Sequence, residues 1–163
     1  MSDITVIYGS STGSTEAAAQ KIAEALGANC VNIARATAED FNSPLLILGT
    51  PTWGDGELQD DWQSRLSLLQ SADLSNTTVA LFGLGDQFGF SDTYLDGMGL
   101  LYAEVSNKAM KIIGKTSSAD YSHSHSKAEQ DGEFCGLALD DVNEPEKTEL
   151  RIGSWIEQIR LEN

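Results

Sequence analysis

The sequence predicts an α/β fold: a doubly wound, five-stranded parallel sheet with helices on both faces. Two observations lead to this prediction. Short, almost wholly apolar runs, which are typical of strands buried on both faces, recur along the 163-residue chain. Between these runs lie stretches in which apolar residues repeat at helical spacing. Strands and helices that alternate in this way are joined by right-handed crossovers, so the strands are expected to be parallel.

Six apolar runs are predicted to form the five strands, because the last strand is expected to be interrupted. The runs are Ile4–Tyr8, Cys30–Ile33, Leu45–Gly49, Thr78–Gly83, Lys111–Gly114 and Phe134–Leu139. The polar stretch 115–133 contains little to bury apart from Tyr121. We therefore expect this stretch to be an inserted loop that divides the last strand.

Four helices are predicted from apolar residues spaced three and four positions apart, which place one apolar face of each helix toward the sheet. The residues of the four faces, in chain order, are Ala18, Ile22, Ala23 and Leu26; Trp62, Leu66 and Leu69; Leu95, Met98, Tyr102, Val105 and Ala109; and Ile152, Trp155, Ile156 and Ile159. With 40% hydrophobic residues, the chain is expected to form a single domain over residues 1–163.

The charge of the chain excludes several classes of partner. A formal net charge of −15 argues against binding to nucleic acid or to an anionic membrane. No apolar run approaches the ~18–20 residues of a membrane span, so membrane insertion is not expected. Between Ala36 and Asn107, Arg65 is the only basic residue, against eleven acidic ones. This acidic stretch is either a solvated surface or a docking face for a basic partner, and its proximity to ligand-binding loops favours docking.

The cysteine and histidine residues are expected to be structural. Cys30 and Cys135 lie in strand-like runs, which favours buried thiols in a reducing, cytoplasmic compartment over a disulfide. His123 and His125 could coordinate a metal, but no further Cys or carboxylate ligands cluster with them. We therefore expect both histidines to be exposed to solvent and predict no metal site.

Residues 9–15, Gly-Ser-Ser-Thr-Gly-Ser-Thr, follow the first strand and lead into the first helix. Hydroxyl groups, backbone N–H groups and a helix N-terminus can together surround a phosphate. The loop lacks the Gly-Lys-Ser/Thr of nucleotide-hydrolysing loops and the three glycines of the dinucleotide fingerprint. Because it has no Lys or Arg, it is predicted to hold a phosphate rather than to transfer one. The alternative is an ordinary capped helix start.

In doubly wound sheets, ligands bind beyond the carboxyl ends of the strands. This rule adds two glycine-rich segments to the phosphate loop, residues 50–58 and 84–92, and each contains aromatic residues. Trp53 and Phe90 could stack on the two faces of a planar ring system joined to a monophosphate. The alternative is that these side chains pack on the core.

Four motifs together resemble the flavodoxin family, namely residues 9–15, Pro-Thr-Trp-Gly-Asp-Gly-Glu-Leu at 51–58, Phe-Gly-Leu-Gly-Asp-Gln at 82–87 and Gly-Leu-Ala-Leu-Asp at 136–140. The insertion at 115–133 resembles that of the long-chain subgroup. The resemblance covers essentially the whole chain. It implies non-covalently bound FMN and a low-potential, one-electron carrier that shuttles between the semiquinone and hydroquinone states.

The resemblance also implies a set of FMN-binding residues in the three loops. These are Ser10, Ser11, Thr12, Gly13, Ser14, Thr15, Thr52, Trp53, Gly54, Asp55, Leu84, Gly85, Asp86, Phe90, Thr93 and Tyr94. Phe90 departs from the family pattern, which usually has Tyr at this stacking position. Acidic residues near the flavin, and a phosphate without a basic partner, should disfavour further negative charge and so lower its potential.

Two other functions fit the sequence less well than electron transfer. An FMN-dependent NAD(P)H:quinone oxidoreductase would use a similar phosphate loop, but no second dinucleotide motif is present. A phosphoacceptor signalling domain would need paired acids after strand one, where Tyr8 and Gly9 lie instead. The resemblance implies basic redox partners, such as ferredoxin–NADP⁺ reductase and, in a photosynthetic setting, photosystem I. The protein is expected to be a monomer.

Overall fold

Ten strands and four α-helices lie within residues 3–163, the part of the chain that the computed structural model describes. The strands are β1 (Ile4–Tyr8), β2 (Asn29–Asn32), β3 (Leu45–Trp53), β4 (Glu57–Leu58), β5 (Thr78–Leu84), β6 (Lys111–Ile113), β7 (Thr116–Ser117), β8 (Glu129–Gln130), β9 (Glu133–Phe134) and β10 (Leu137–Leu139). The helices are α1 (Ser14–Leu26), α2 (Asp60–Ser71), α3 (Asp96–Val105) and α4 (Thr148–Glu162). The predicted alternation of strands and helices is confirmed. The third helix ends at Val105, so Ala109 lies beyond it.

The central sheet is parallel and has the order β2-β1-β3-β5, with β6 and β10 sharing the fifth position. β6 pairs with Thr78–Ala80, the first half of β5, and β10 pairs with Phe82–Leu84, its second half. These two short strands are therefore one interrupted strand, and the predicted five-stranded sheet is confirmed. The two-residue strand β4 adds an antiparallel hairpin to the end of β3.

The insertion between β6 and β10 contains a small antiparallel sheet, in the order β7-β9-β8, instead of the predicted loop. Ala128 and Phe134 of this insertion are buried in the core that covers one face of the central sheet. Strands of two residues are too short to show an alternating pattern, so they could not be predicted from the sequence.

Two hydrophobic cores lie on opposite faces of the central sheet. Side chains of α1 and α4 pack on one face, and side chains of α2 and α3 pack on the other. Successive residues of β3 alternate between the two: Leu45 and Ile47 face the first core, whereas Leu46 and Leu48 face the second. This alternation follows from strand geometry and explains why the strand is apolar throughout. Within the described residues, no helix is long and apolar enough to cross a bilayer.

The outer strand β2 departs from the prediction of a buried run. It is hydrogen-bonded to β1 on one side, and its first two residues are exposed because it lies at the sheet edge. The prediction that Cys30 is buried is therefore wrong. Cys135, the other free cysteine, is buried as predicted, and burial raises the pKa of its thiol to about 12.

Two glycines allow a test of backbone effects on stability. A Cβ at Gly153, within α4, would meet no atom within 4 Å, and the same holds at Gly27. We expect Gly153→Ala to raise the free energy of unfolding by about 0.5–1 kcal/mol, since alanine loses less backbone entropy in a helix. Gly27 ends α1 with a φ of 65°. Gly27→Ala should therefore lower the free energy of unfolding by about 1 kcal/mol, because alanine is strained at this backbone conformation. Urea unfolding would measure both changes, and two variants that both stabilise or both destabilise the protein would contradict this explanation.

Candidate functional site

An open cleft of about 280 Å³ lies beyond the carboxyl ends of the central strands. The carboxyl ends of β3 and β5 and the loops that follow β1, β3, β5 and β10 form its walls. The residues that line it are Thr12, Ser14, Thr15, Pro51, Thr52, Trp53, Gly54, Leu84, Gly85, Asp86, Phe90, Thr93, Tyr94, Leu95, Asp141 and Val142. The structure thus brings the three predicted loops together around one cavity.

Most of the residues predicted for the site line this cleft, but Ser10, Ser11, Gly13 and Asp55 do not. Conversely, the sequence reasoning missed four lining residues: Pro51, Leu95, Asp141 and Val142. Asp141 and Val142 follow the carboxyl end of β10. They are therefore at the position where ligands bind in doubly wound sheets, beyond the carboxyl end of a strand.

The first loop presents hydroxyl groups at the start of α1. Gly13 has a φ of 94° and its backbone N–H donates to Ser10 Oγ over 3.0 Å, which closes the turn just before the helix begins at Ser14. Thr12 and Ser14 are exposed toward the cleft. A helix N-terminus carries a partial positive charge and free N–H groups, so the loop suits an anion although it contains no basic side chain.

Gln59 and Trp62 support this loop from below. Gln59 is buried, and its Nε2 donates to Ser11 Oγ over 3.1 Å. The indole N–H of Trp62 donates to the carbonyl of Gly49 at the adjoining strand, over 2.9 Å. A Cβ at Gly9 would lie 2.3 Å from Gln59 Oε1, so any larger residue at this position would clash with the Gln59 side chain.

Trp53 was predicted to lie in a loop, but it is the last residue of β3 and pairs with Glu57 of β4. The turn between them contains Gly54 and Gly56, whose φ angles of 48° and 90° lie in the region that favours glycine. Because the hairpin extends past the sheet, the Trp53 side chain is 41% exposed beside the cleft. It is therefore available to a ligand and is not part of the core.

The loop after β5 is organised by Asp86. Its carboxylate accepts hydrogen bonds from the backbone N–H of Gly89 and the side-chain amide of Asn143, and these bonds lower the pKa of Asp86. Phe90, at the end of this turn, is 56% exposed and lines the cleft. Tyr94, in contrast, is buried, and its hydroxyl donates to the carbonyl of Leu139 over 3.3 Å. Its pKa is raised by burial.

Asp140 ties this loop to the one that follows β10. The carboxylate is fully buried and accepts hydrogen bonds from the backbone N–H and side-chain amide of Gln87, at 3.1 and 2.9 Å. It also accepts from the backbone N–H groups of Val142 and Asn143, at 3.1 and 2.9 Å. A single buried side chain therefore fixes the positions of two walls of the cleft relative to one another.

Glu144, next to this network, is expected to make the stability of the fold depend on pH in the acid range. Hydrogen bonds from Lys147 and Arg151, at 2.7 and 2.8 Å, lower the pKa of Glu144 to about 2. An unfolded Glu has a pKa of about 4.3, so the stabilisation is complete above that value and is lost as the pH falls toward 2. We expect Glu144→Gln to be less stable than the parent at pH 7, with the difference shrinking between about pH 5 and pH 2. Thermal melts across this range would measure it.

A matched control for that experiment is Glu149→Gln. Glu149 pairs with Lys21 at 3.3 Å, but the two side chains are 83% and 48% exposed. Such exposed pairs contribute little. An equal loss of pH dependence in both variants would contradict the assignment to Glu144.

The two histidines of the insertion differ from one another. His125 is exposed, as predicted. The prediction that His123 is exposed is wrong: its side chain is only 4% exposed, and its Nε2 lies 2.6 Å from Glu129 Oε1. Among residues 3–163, no group of three or more His, Cys, Asp or Glu side chains is arranged to hold a metal ion.

Comparisons with known proteins agree on one family. The family model described as Flavodoxin matches residues 6–155. A flavodoxin of Picosynechococcus sp. is 42% identical, over 98% of this chain and 97% of that protein. A Helicobacter pylori flavodoxin is 40% identical, over 98% of each. The crystal structure of Fusobacterium nucleatum flavodoxin bound to flavin mononucleotide superimposes with a TM-score of 0.92 at 34% identity, covering 98% of this chain and 97% of that one.

Proposed function

Because the chain belongs to the flavodoxin family, we propose that it is a one-electron carrier that binds FMN non-covalently and passes electrons to partner proteins. The bound flavin supplies the redox chemistry, in two one-electron steps. The protein is an electron-transfer protein and not an enzyme. A quinone oxidoreductase, the alternative function, has no observation in its favour.

The residues of the cleft fit FMN in their chemistry. The hydroxyl-rich loop 10–15 and the N-terminus of α1 would hold the phosphate. Trp53 and Phe90, both aromatic and about half exposed, would cover the ring system and keep water from it. Backbone groups near Asp86 and Thr93 would bind the polar edge of the ring. A ligand made of a flat ring and a monophosphate is what such a set of groups can bind.

We infer a low potential from the charges of the site. Asp86 and Asp141 line the cleft, and no Lys or Arg among residues 3–163 does. A negative charge ~10 Å from the flavin raises the energy of an added electron by about 0.4–1.7 kcal/mol, depending on the effective dielectric constant. Salt should weaken this effect. A flavin whose second one-electron potential does not rise between low and high ionic strength would contradict it.

We propose that the chain acts as a single unit over residues 1–163 and is of the long-chain type, since its insertion divides the last strand between β6 and β10. The acidic surface near the cleft favours basic redox partners, such as ferredoxin–NADP⁺ reductase or photosystem I. We expect a cytoplasmic monomer. Salt-dependent association with such a reductase in stopped-flow measurements would support this partner class.

One observation carries the function most directly: an open cleft with two exposed aromatic side chains lies beside a phosphate loop that has no basic residue. The test is an absorption spectrum of the purified protein during stepwise reduction. We expect bound FMN in a one-to-one ratio and two separate one-electron steps. A protein that does not bind added FMN would contradict the proposal.

A further inference from the structure

A segment of the insertion runs alongside the turn that carries Phe90. This segment, Ser122–Lys127, is called the brace below. The backbone N–H of its first residue donates to Gln87 Oε1 over 2.7 Å. The backbone N–H of its last residue donates to Asp96 Oδ1, also over 2.7 Å. The brace is therefore hydrogen-bonded at one end to the loop that forms one wall of the cleft, and at the other end to the first residue of α3, the helix that follows this loop.

The middle of the brace binds the residue that follows Phe90. The carbonyl of Ser91 accepts from the backbone N–H groups of Ser124 and His125, at 3.0 and 3.1 Å. Ser124 also uses its own hydroxyl, which donates to Asp92 Oδ1 over 2.5 Å. Its backbone N–H lies 2.8 Å from Ser91 Oγ. These bonds fix the backbone on the carboxyl side of Phe90, whose own ring is more than half exposed.

His123 anchors the brace to the core. Its ring packs against those of Tyr94 and Phe134, with centroids 5.2 Å from each, and these two rings also contact one another. Its Nε2 bonds to Glu129 Oε1 at 2.6 Å. Within the described residues its Nδ1 has no hydrogen-bond partner, so Nε2 provides the polar anchor. Tyr94 belongs to the same loop as Phe90, which connects the histidine to that wall of the cleft.

We propose that the brace fixes the Phe90 side of the flavin site, with His123 as its positioning residue and Ser124 as its main contact. The inference rests on the proposed function, because it concerns the binding of the flavin ring. The brace acts on the wall that faces the ring and not on the phosphate loop. Its loss should therefore weaken the binding of riboflavin and of FMN by the same factor.

The test uses the full-length apoprotein titrated with FMN and with riboflavin, followed by flavin fluorescence. We expect Ser124→Ala to raise both dissociation constants about tenfold, equivalent to about 1.4 kcal/mol. His123→Phe keeps the ring but leaves Glu129 without its imidazole partner, and should act in the same direction. His123→Gln can donate from its own Nε2 and should restore part of the affinity. Gln130→Ala, an exposed side chain in the same insertion, is the control.

Hydrogen–deuterium exchange of the apoprotein gives a second readout, which needs no flavin. In Ser124→Ala and His123→Phe, the amides of residues 90–93 should exchange faster, while those of the phosphate loop should not change. Variants that bind both flavins like the parent, or that lose affinity for FMN alone, would contradict the proposed role of the brace. A parent apoprotein that binds neither flavin would instead contradict the proposed function.

Discussion

Replacing Asp140 by alanine is expected to lower the free energy of unfolding by about 3–5 kcal/mol, since it leaves several buried N–H groups without the carboxylate that accepts their hydrogen bonds, at about 1–3 kcal/mol for each. The side chain is fully buried and accepts hydrogen bonds from Gln87, Val142 and Asn143. Without it, several N–H groups at the base of two loops lose their acceptor. Urea unfolding of the apoprotein would measure the change.

The control is Asp120→Ala, which removes an exposed carboxylate and should change stability by less than about 0.5 kcal/mol. Asp140→Asn should fall between the two, because the amide retains one acceptor oxygen but places an N–H against other donors. If Asp140→Ala were as stable as Asp120→Ala, the two loops would not depend on this carboxylate.

Replacing Trp53 by alanine is expected to weaken FMN binding about tenfold to one-hundredfold, since stacking of an aromatic side chain on a flat heterocycle contributes about 1–3 kcal/mol. Trp53 is 41% exposed, so the ring has free surface to give to a ligand. For the same reason, the apoprotein should unfold at nearly the urea concentration of the parent. Fluorescence titration with FMN would measure the affinity.

Phe88→Ala is the matched control, since Phe88 is 61% exposed in the loop that carries Phe90 but is not among the residues that line the cleft. Its removal should leave FMN affinity unchanged. Trp53→Phe retains an aromatic face and should lose less affinity than Trp53→Ala. A loss from Phe88→Ala as large as that from Trp53→Ala would mean that general surface hydrophobicity, and not stacking, sets the affinity.

Local patterns in the sequence were sufficient for the alternation of strands and helices, for the five-stranded parallel sheet and for most of the cleft. Trp53 and Phe90 could be found because each is an aromatic residue in a glycine-rich segment at the carboxyl end of a central strand. Cys30 was misplaced because its strand lies at the sheet edge, and edge position depends on the order of strands in space. His123 was misplaced because the rings that bury it, from Tyr94 and Phe134, are distant in sequence and meet it only in the folded protein.

The interrupted fifth strand divides into one part that supports the sheet and one part that leads into the cleft. β6 pairs with the half of β5 remote from the cleft, and β10 with the half that leads into it. Substitutions in β6 are therefore expected to change the free energy of unfolding without affecting the affinity for the ligand. In contrast, β10 leads directly into Asp140 and the cleft wall.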